Sequence, residues 1–227
     1  MTCAQSARGK MSRIVKEPEE RRKELIDTAE RLFIAQGYDQ TSISDIVKEV
    51  NVSQGAFYYY FDSKEDVLVA VMEKQIALME SDFIQIANNS ELDEAAKLNS
   101  MINRFLSISA SGKKIIGYIH QAKNATLHRK LRMVKPFARI APVMAEVIVK
   151  GCKKDRFHVE RPLETSYLLL VLMASANHMF YQKNDDLANS KNADQSEWEF
   201  LENMRAAMED LLGRTLGVSD YRFILQT

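Results

Sequence analysis

Turn-forming residues are scarce in this chain. Its 227 residues include only 8 glycines and 4 prolines, and a fold rich in strands and tight turns would need more of both. The two cysteines, Cys3 and Cys152, have no CxxC motif or Cys/His cluster beside them. This argues against a disulfide framework or a structural zinc site and favours a reducing compartment. The expected fold class is all-α.

Net charge and long hydrophobic runs are missing as well. The 31 basic and 31 acidic residues cancel, which argues against a protein that coats nucleic acid by charge alone but allows a small basic surface. The longest apolar run, YLLLVLMASA from Tyr167, is too short to span a bilayer. The start of the chain, MTCAQSARGK, lacks the apolar core of a signal peptide. We therefore expect a cytoplasmic protein that does not enter a membrane.

Sequence signatures of catalysis and cofactor binding are absent. The chain has no phosphate-binding loop, no nucleophile elbow and no HExxH motif. His120 and His128 have no carboxylate between them at a spacing that would complete a metal site. We therefore expect neither enzymatic activity nor a cofactor or metal.

Helical periodicity begins at Pro18. Residues 1–17 form a basic segment that we predict to be a disordered arm, with a solubilising tail as the alternative. The next stretch, PEERRKELIDTAERLFIAQG, has apolar residues at helical spacing and ends on Gly37, which suits a helix C-cap. Two short helices joined by the turn NVS follow, an arrangement typical of a helix-turn-helix DNA-binding motif. Capping patterns place the starts of these two helices and of a longer fourth helix after Ser42, Ser53 and Ser63.

The third predicted helix carries the aromatic run FYYYF. Phe57 and Phe61 are four positions apart, so they share a face that we expect to pack into the domain core. Tyr58 and Tyr59 then point away from that core, and Tyr60 lies at its edge. An exposed tyrosine suits DNA because its ring packs on sugars and thymine methyl groups while its hydroxyl donates to a phosphate. The alternative is that all five rings fill the core.

The segment TSISDIVKEVNVSQGAFYYYFDSKEDVL resembles the DNA-binding signature of the TetR family of transcriptional regulators. The resemblance covers roughly residues 19–70. It includes a threonine opening the second helix, a turn ending in valine-serine, a small-residue pair, the pattern Tyr-Tyr-x-Phe and a Ser-Lys-Glu start to the fourth helix. It implies a helix-turn-helix DNA-binding domain over residues 18–65.

The resemblance also implies individual roles at the DNA. Asn51 and Gln54 depart from the family pattern, which usually has glycine in the turn and often has lysine or arginine at the start of the recognition helix. Asparagine accommodates the same left-handed turn, and glutamine can pair bidentately with adenine. Lys64 is expected to contact a phosphate, and the alternative is that its side chain is simply solvated. By the resemblance, Gln54, Gly55, Ala56 and Tyr58 face base edges, and Thr41, Ser42, Tyr59, Tyr60 and Lys64 face phosphates. Ser53, at the start of the recognition helix, is a further candidate DNA-binding residue.

Residues 66–217 are predicted to be a larger helical domain, followed by a C-terminal tail over residues 218–227. We expect the helix around Pro136 and Pro142 to be broken or kinked. The family resemblance implies that this domain binds a small effector, and its methionines and aromatic residues favour an apolar or amphipathic molecule. The alternative is that these side chains are simply core. The candidate effector-binding residues are Met101, Phe105, Tyr118, Met133, Phe137, Met144, Met173 and Asn177.

The helix containing Leu168 to Ala174 is apolar on all sides and must be covered on two faces. A second copy of the chain is the simplest cover, and in TetR-family proteins the last two long helices commonly form a four-helix bundle with their symmetry mates. Burial within one monomer is the alternative. The candidate dimer-interface residues are Leu170, Met204, Met208 and Leu211.

Together these features predict a homodimeric regulator, most simply a repressor, that binds a pseudo-palindromic double-stranded DNA operator and is released by an effector. Two other hypotheses stay open. One is an architectural DNA-binding protein of the same fold whose larger domain docks a protein. The other is a helical enzyme, which the missing catalytic motifs disfavour.

Overall fold

The computed structural model describes residues 17–111, 136–189 and 195–225. Within these ranges the chain forms eight α-helices and no strand, which confirms the predicted all-α class there. Apart from Glu17, the predicted basic arm lies outside the described residues. The helices are α1 (Pro18–Gln36), α2 (Ile43–Val50), α3 (Gln54–Tyr60), α4 (Lys64–Asn88), α5 (Glu94–Ser111), α6 (Pro136–Lys153), α7 (Pro162–Asn189) and α8 (Gln195–Leu216).

Serine caps fix where three of the first four helices begin. The hydroxyl oxygen of Ser42 accepts from the Asp45 backbone N–H at 3.1 Å, and the Asp45 carboxylate accepts from the Ser42 N–H at 2.8 Å. This is the predicted capping box at the start of α2. Ser53 and Ser63 cap α3 and α4 in the same way, each accepting an N–H bond from three residues ahead at 3.2 Å.

The chain builds two hydrophobic cores that share α4. The first core is enclosed by α1, α2, α3 and the first two turns of α4, and it extends to Val71. The predicted domain boundary after residue 65 therefore falls before residues that belong to the first core. The second half of α4 contributes Met79 and Phe83 to the second core, together with α5, α6, α7 and α8. One helix of 25 residues thus connects the two parts of the molecule.

Proline does not break α6. The helix begins at Pro136, where the missing N–H would be unsatisfied in any case, and continues through Pro142 to Lys153. Pro142 lies on the exposed side of the helix, whereas Met144 is buried in the second core. The expected break at Pro142 is therefore wrong, and α6 is one element that packs against α4, α5 and α7. The chain before Pro136 lies outside the described residues.

Residues 221–225 are not a free tail. Tyr221–Leu225, here called the C-terminal strap, lies across α5 and α8, with Phe223 and Leu225 fully buried. Asn99 accepts a hydrogen bond from the Ile224 N–H at 2.9 Å, and Asn103 donates to the Ile224 carbonyl at 2.8 Å. The buried Glu209 carboxylate accepts from the Leu225 N–H at 3.0 Å. The predicted tail is thus, over these residues, part of the second core.

Candidate nucleic-acid interface

The turn between α2 and α3 gives the motif its shape. Asn51 adopts the left-handed conformation (φ 58°, ψ 49°) that ends α2, as predicted for an asparagine in place of glycine. The Val52 N–H then donates to the Val47 carbonyl at 2.9 Å, which closes the turn against the last residues of α2. Ser53 caps α3 immediately afterwards, so α3 starts at a fixed angle to α2.

The aromatic run divides between core and solvent as predicted. Phe57 and Phe61 are buried between the helices of the first core. Tyr58 is 54% exposed and Tyr59 76% exposed, whereas Tyr60 is half-buried at the edge. The rings of Tyr59 and Tyr60 meet edge to face with centroids 4.9 Å apart. The alternative that all five rings fill the core is therefore wrong.

The first turn of α3 presents small and amide side chains. Gln54 and Gly55 are exposed and Ala56 is half-buried, so the backbone of this turn is open to a ligand. The Gln54 Nε2 donates to the Ser44 hydroxyl oxygen on α2 at 2.9 Å. Neither the helix pattern nor the family resemblance signals this bond, because its two partners lie on different helices.

Thr41 is not available for the predicted phosphate contact. Its side chain is fully buried, donates to the Gly37 carbonyl at 2.8 Å and accepts from the Gln36 side chain at 3.2 Å. The threonine therefore locks the turn between α1 and α2 and has no surface to offer to DNA. This corrects the role implied by the family resemblance.

Ser42 is exposed, but its polar groups are already engaged. Its hydroxyl donates to the Asp45 carboxylate at 2.7 Å, and this bond is the main reason that the pKa of Asp45 lies below its ordinary value. A phosphate at Ser42 would have to displace this bond beside an ionised carboxylate. The predicted contact is thus disfavoured by the capping box itself.

Lys64 has an internal role that the sequence does not reveal. Its ammonium donates to the backbone carbonyls of Tyr38 and Thr41, both at 2.8 Å, and lies 4.1 Å from the centre of the Tyr38 ring. Burial lowers the pKa of this ammonium. Two of its three N–H bonds thus hold the loop between α1 and α2, which leaves the third for the predicted phosphate.

We expect Lys64→Met to lower the free energy of unfolding by about 1.5–3 kcal/mol, the range for hydrogen bonds from a charged group. The methionine fills similar space but leaves the two carbonyls without this donor. Urea denaturation measures the change. Lys48→Met is the matched control, since Lys48 is exposed on α2 and should change stability by less than about 0.5 kcal/mol. Equal stability of the two variants, with weaker DNA binding only for Lys64→Met, would contradict the internal role.

The predicted effector-binding residues are only partly described. Met101, Phe105, Met144 and Met173 are buried in the second core, and Phe137 packs against it with its ring 6.2 Å from that of Phe105. These five side chains therefore belong to one cluster, as the core alternative also requires. Tyr118 and Met133 lie outside the described residues, and for Asn177 the structure describes the position on α7 but not the side chain.

Two of the four predicted dimer residues are buried within the monomer. Leu170 and Met208 are buried in the monomer's own core, and Met204 packs against it. Of the four candidates, Leu211 alone is exposed. Among the described side chains of α7, those of Leu168, which is 70% exposed, Val171 and Leu163 are apolar and lie at the surface. α7 therefore has an exposed apolar surface, but Leu168 and Val171 form it and Leu170 does not.

No helix in the described ranges is both long and apolar enough to cross a membrane. In the same part of the chain, no three histidine, cysteine, aspartate or glutamate side chains converge as metal ligands.

Two family models match the chain. Residues 25–71 match the model described as bacterial regulatory proteins, tetR family. Residues 107–196 match the model described as tetracyclin repressor-like, C-terminal domain. The first match covers α2, α3 and the residues of α4 that close the first core.

Among curated relatives, the chain is 47% identical over 53 residues to the HTH-type transcriptional regulator YuxN of Bacillus subtilis, a match that covers 23% of this chain but only 18% of that one. It is 26% identical over 150 residues to the HTH-type transcriptional regulator SrpR of Pseudomonas putida, covering 66% of this chain and 70% of that one. Among solved structures, a regulator from Saccharomonospora viridis in complex with choline superposes with a TM-score of 0.63 at 20% identity, covering 87% of this chain and 98% of that one. This last likeness concerns the fold.

Proposed function

Because this chain belongs to the TetR family of transcriptional regulators, we propose that it binds an operator in double-stranded DNA as a homodimer and represses transcription from it. The observation that carries the proposal is the solvent face of α3. This face combines exposed tyrosines, an exposed amide and a glycine on a capped helix whose opposite face is held by the first core. We expect such a protein in the cytoplasm and propose no catalysed reaction for it.

The exposed side chains of α3 suit two kinds of DNA contact. The Tyr59 hydroxyl can donate to a phosphate oxygen, which fixes position without selecting a sequence. Gln54 lies in the first turn, where a recognition helix meets base edges in the major groove. Gly55 and Ala56 beside it let the helix backbone approach closely. α3 would thus select sequence at its start and hold the backbone at its end.

We expect Tyr59→Phe to weaken binding to the operator and to unrelated DNA equally, by about 1 kcal/mol, the net value of one hydrogen bond. Gln54→Ala should weaken operator binding alone, by roughly 1–3 kcal/mol, if the amide makes a bidentate base contact. Titration of an operator duplex and a scrambled duplex at one fixed salt concentration separates the two effects. Each variant serves as the control for the other. If neither change alters DNA affinity, α3 is not the recognition helix.

The dimer follows from the exposed apolar surface of the last two helices. Leu168 and Val171 on α7 and Leu211 on α8 remain at the surface of the monomer, although each carries a large apolar side chain. Burying them against a second copy would remove them from water. A two-fold dimer then presents two α3 helices to successive major grooves, about 34–36 Å apart along the DNA.

We also propose that the larger domain binds a small apolar or amphipathic effector that releases the operator. The matched C-terminal model and the choline complex of a protein with a similar fold support the binding of a small molecule. The apolar or amphipathic class rests on the methionines and phenylalanines of the second core. α4 is the natural lever, because its first turns lie in the DNA-binding core and its last turns lie in the second core. Lys74 on α4 donates to Asp27 and Glu30 on α1 at 2.5 and 2.6 Å, so α1 is tied to that lever.

For a compound that binds the protein, we expect saturating operator duplex to lower the affinity of the protein for the compound. The saturating compound should lower the affinity of the protein for the operator by the same factor. The reason is linkage: a ligand shifts an equilibrium only by its differential affinity for the two states. Calorimetric titration of the compound with and without duplex measures the first factor, and titration of the duplex with and without the compound measures the second. Equal compound affinity in the two titrations would favour regulation by a docked protein.

A further inference from the structure

The side chain of Gln54 is tethered rather than free on the surface of α3. Its Nε2 donates to the Ser44 hydroxyl oxygen at 2.9 Å, across the two helices of the motif. Both residues are exposed, so the bond lies on the surface that would face DNA. Ser44 lies within the capping box of α2, between Ser42 and Asp45, whose bonds fix its backbone, and Gln54 is the first residue of α3.

This bond determines which groups Gln54 has left to offer. A carboxamide carries two N–H donors and one acceptor oxygen. Ser44 takes one N–H, which leaves one N–H and Oε1. In the major groove, adenine presents the N6–H donor and the N7 acceptor, a pair that complements the remaining groups. Guanine presents two acceptors, O6 and N7, so its O6 would lie opposite Oε1, which is also an acceptor, and no hydrogen bond could form between them.

We propose that Ser44 is a positioning residue that orients the Gln54 carboxamide so that each α3 selects adenine at one position of its half-site. The proposal rests on the proposed function, since it requires α3 to lie in a major groove. Ser44 acts through Gln54 and needs no base contact of its own. Its effect is therefore expected in discrimination between bases rather than in overall affinity.

The size of the effect follows from the freedom of the glutamine. Without Ser44, binding must immobilise a rotamer-rich side chain that the hydrogen bond otherwise holds. The expected loss of discrimination at the Gln54 position is roughly two- to tenfold for Ser44→Ala. Gln54→Ala removes the bidentate pair itself, and a loss of roughly five- to 150-fold is expected.

The probe is a duplex enriched by the full-length wild-type protein from a library of random sequences. Wild type, Ser44→Ala, Ser44→Thr, Gln54→Ala and the double variant are titrated with this duplex. Each is also titrated with copies carrying guanine or 7-deazaadenine, which lacks N7, at the position that depends on Gln54. Thermal denaturation of each variant checks that the first domain is folded.

We expect the enriched duplex to carry adenine at that position and the wild type to bind the guanine and 7-deazaadenine copies more weakly. Ser44→Ala should lose discrimination between bases at that position and at no other, whereas Ser44→Thr should keep it. In the Gln54→Ala background, Ser44→Ala should cause no further loss of discrimination. Guanine or another base at the position, or unchanged discrimination in Ser44→Ala, would overturn the role of Ser44 while leaving the proposed function intact. Failure of the wild type to enrich any sequence would overturn both.

Discussion

Leu168→Glu is expected to convert the proposed dimer into a monomer and to lower operator affinity by a factor of about 100 or more. Leu168 is the most exposed large aliphatic side chain among those described on α7, and a carboxylate there would have to be desolvated in the proposed interface. A dimer binds its second half-site intramolecularly, which is worth roughly 10²–10⁴ in affinity. Sedimentation velocity gives the oligomeric state, and titration on the two-site operator gives the affinity.

Leu163→Glu is the matched control for this variant. Leu163 is also an exposed leucine of α7, but it lies five positions away, about 140° around the helix axis from Leu168. The Leu163→Glu variant should remain a dimer and bind the operator with wild-type affinity. A Leu168→Glu protein that sediments as a dimer and binds the operator normally would remove the proposed interface.

Phe223→Ala is expected to lower the free energy of unfolding by about 3–5 kcal/mol, the usual cost of truncating a buried phenylalanine. Phe223 is fully buried where the C-terminal strap crosses α5 and α8, and its ring contacts Tyr221 at 5.1 Å between centroids. Chemical denaturation followed by circular dichroism measures the loss. A smaller midpoint with an unchanged denaturant slope would indicate lost stability in an otherwise similar fold.

Ile224→Ala is the control next to it in the chain. The side chain of Ile224 is exposed, while its backbone makes the two bonds to Asn99 and Asn103, which alanine retains. Its stability should change by no more than about 0.5 kcal/mol. Equally small losses for the two variants would contradict a stabilising role for the buried Phe223 side chain.

Local sequence chemistry predicted the geometry of the DNA-binding motif well. The caps at Ser42, Ser53 and Ser63 and the left-handed Asn51 depend on residues within a few positions of one another. The division of the aromatic run between core and surface follows from helical rotation alone. Such features need no knowledge of the tertiary fold.

Hydrogen bonds between residues far apart in the sequence explain why the internal role of Lys64 and the burial of Thr41 were not predicted. The partners of Lys64 are backbone carbonyls of Tyr38 and Thr41, more than twenty positions earlier. Every residue type has such a carbonyl, so no residue pattern could mark them. Thr41 is misassigned for the same reason, because its burial depends on how α1 meets α2.

The larger domain shows a different limit. A helix that is apolar on all sides gives no rotational signal, so Leu170 could not be distinguished from Leu168 without the packing of α7. The C-terminal strap has no helical period, and its place in the core depends on two asparagines of α5 and one glutamate of α8. These contacts become visible only in three dimensions.

The most direct test of sequence-specific binding by a dimer is selection of DNA from a random duplex library by the full-length protein. We predict enrichment of two inverted half-sites with centres one helical turn apart, about 34–36 Å. Gln54→Ala should relax selection at one position in each half-site, in a symmetric pair. Enrichment of a single unrepeated motif, or of no sequence, would contradict the account of a dimeric regulator that recognises its operator through α3.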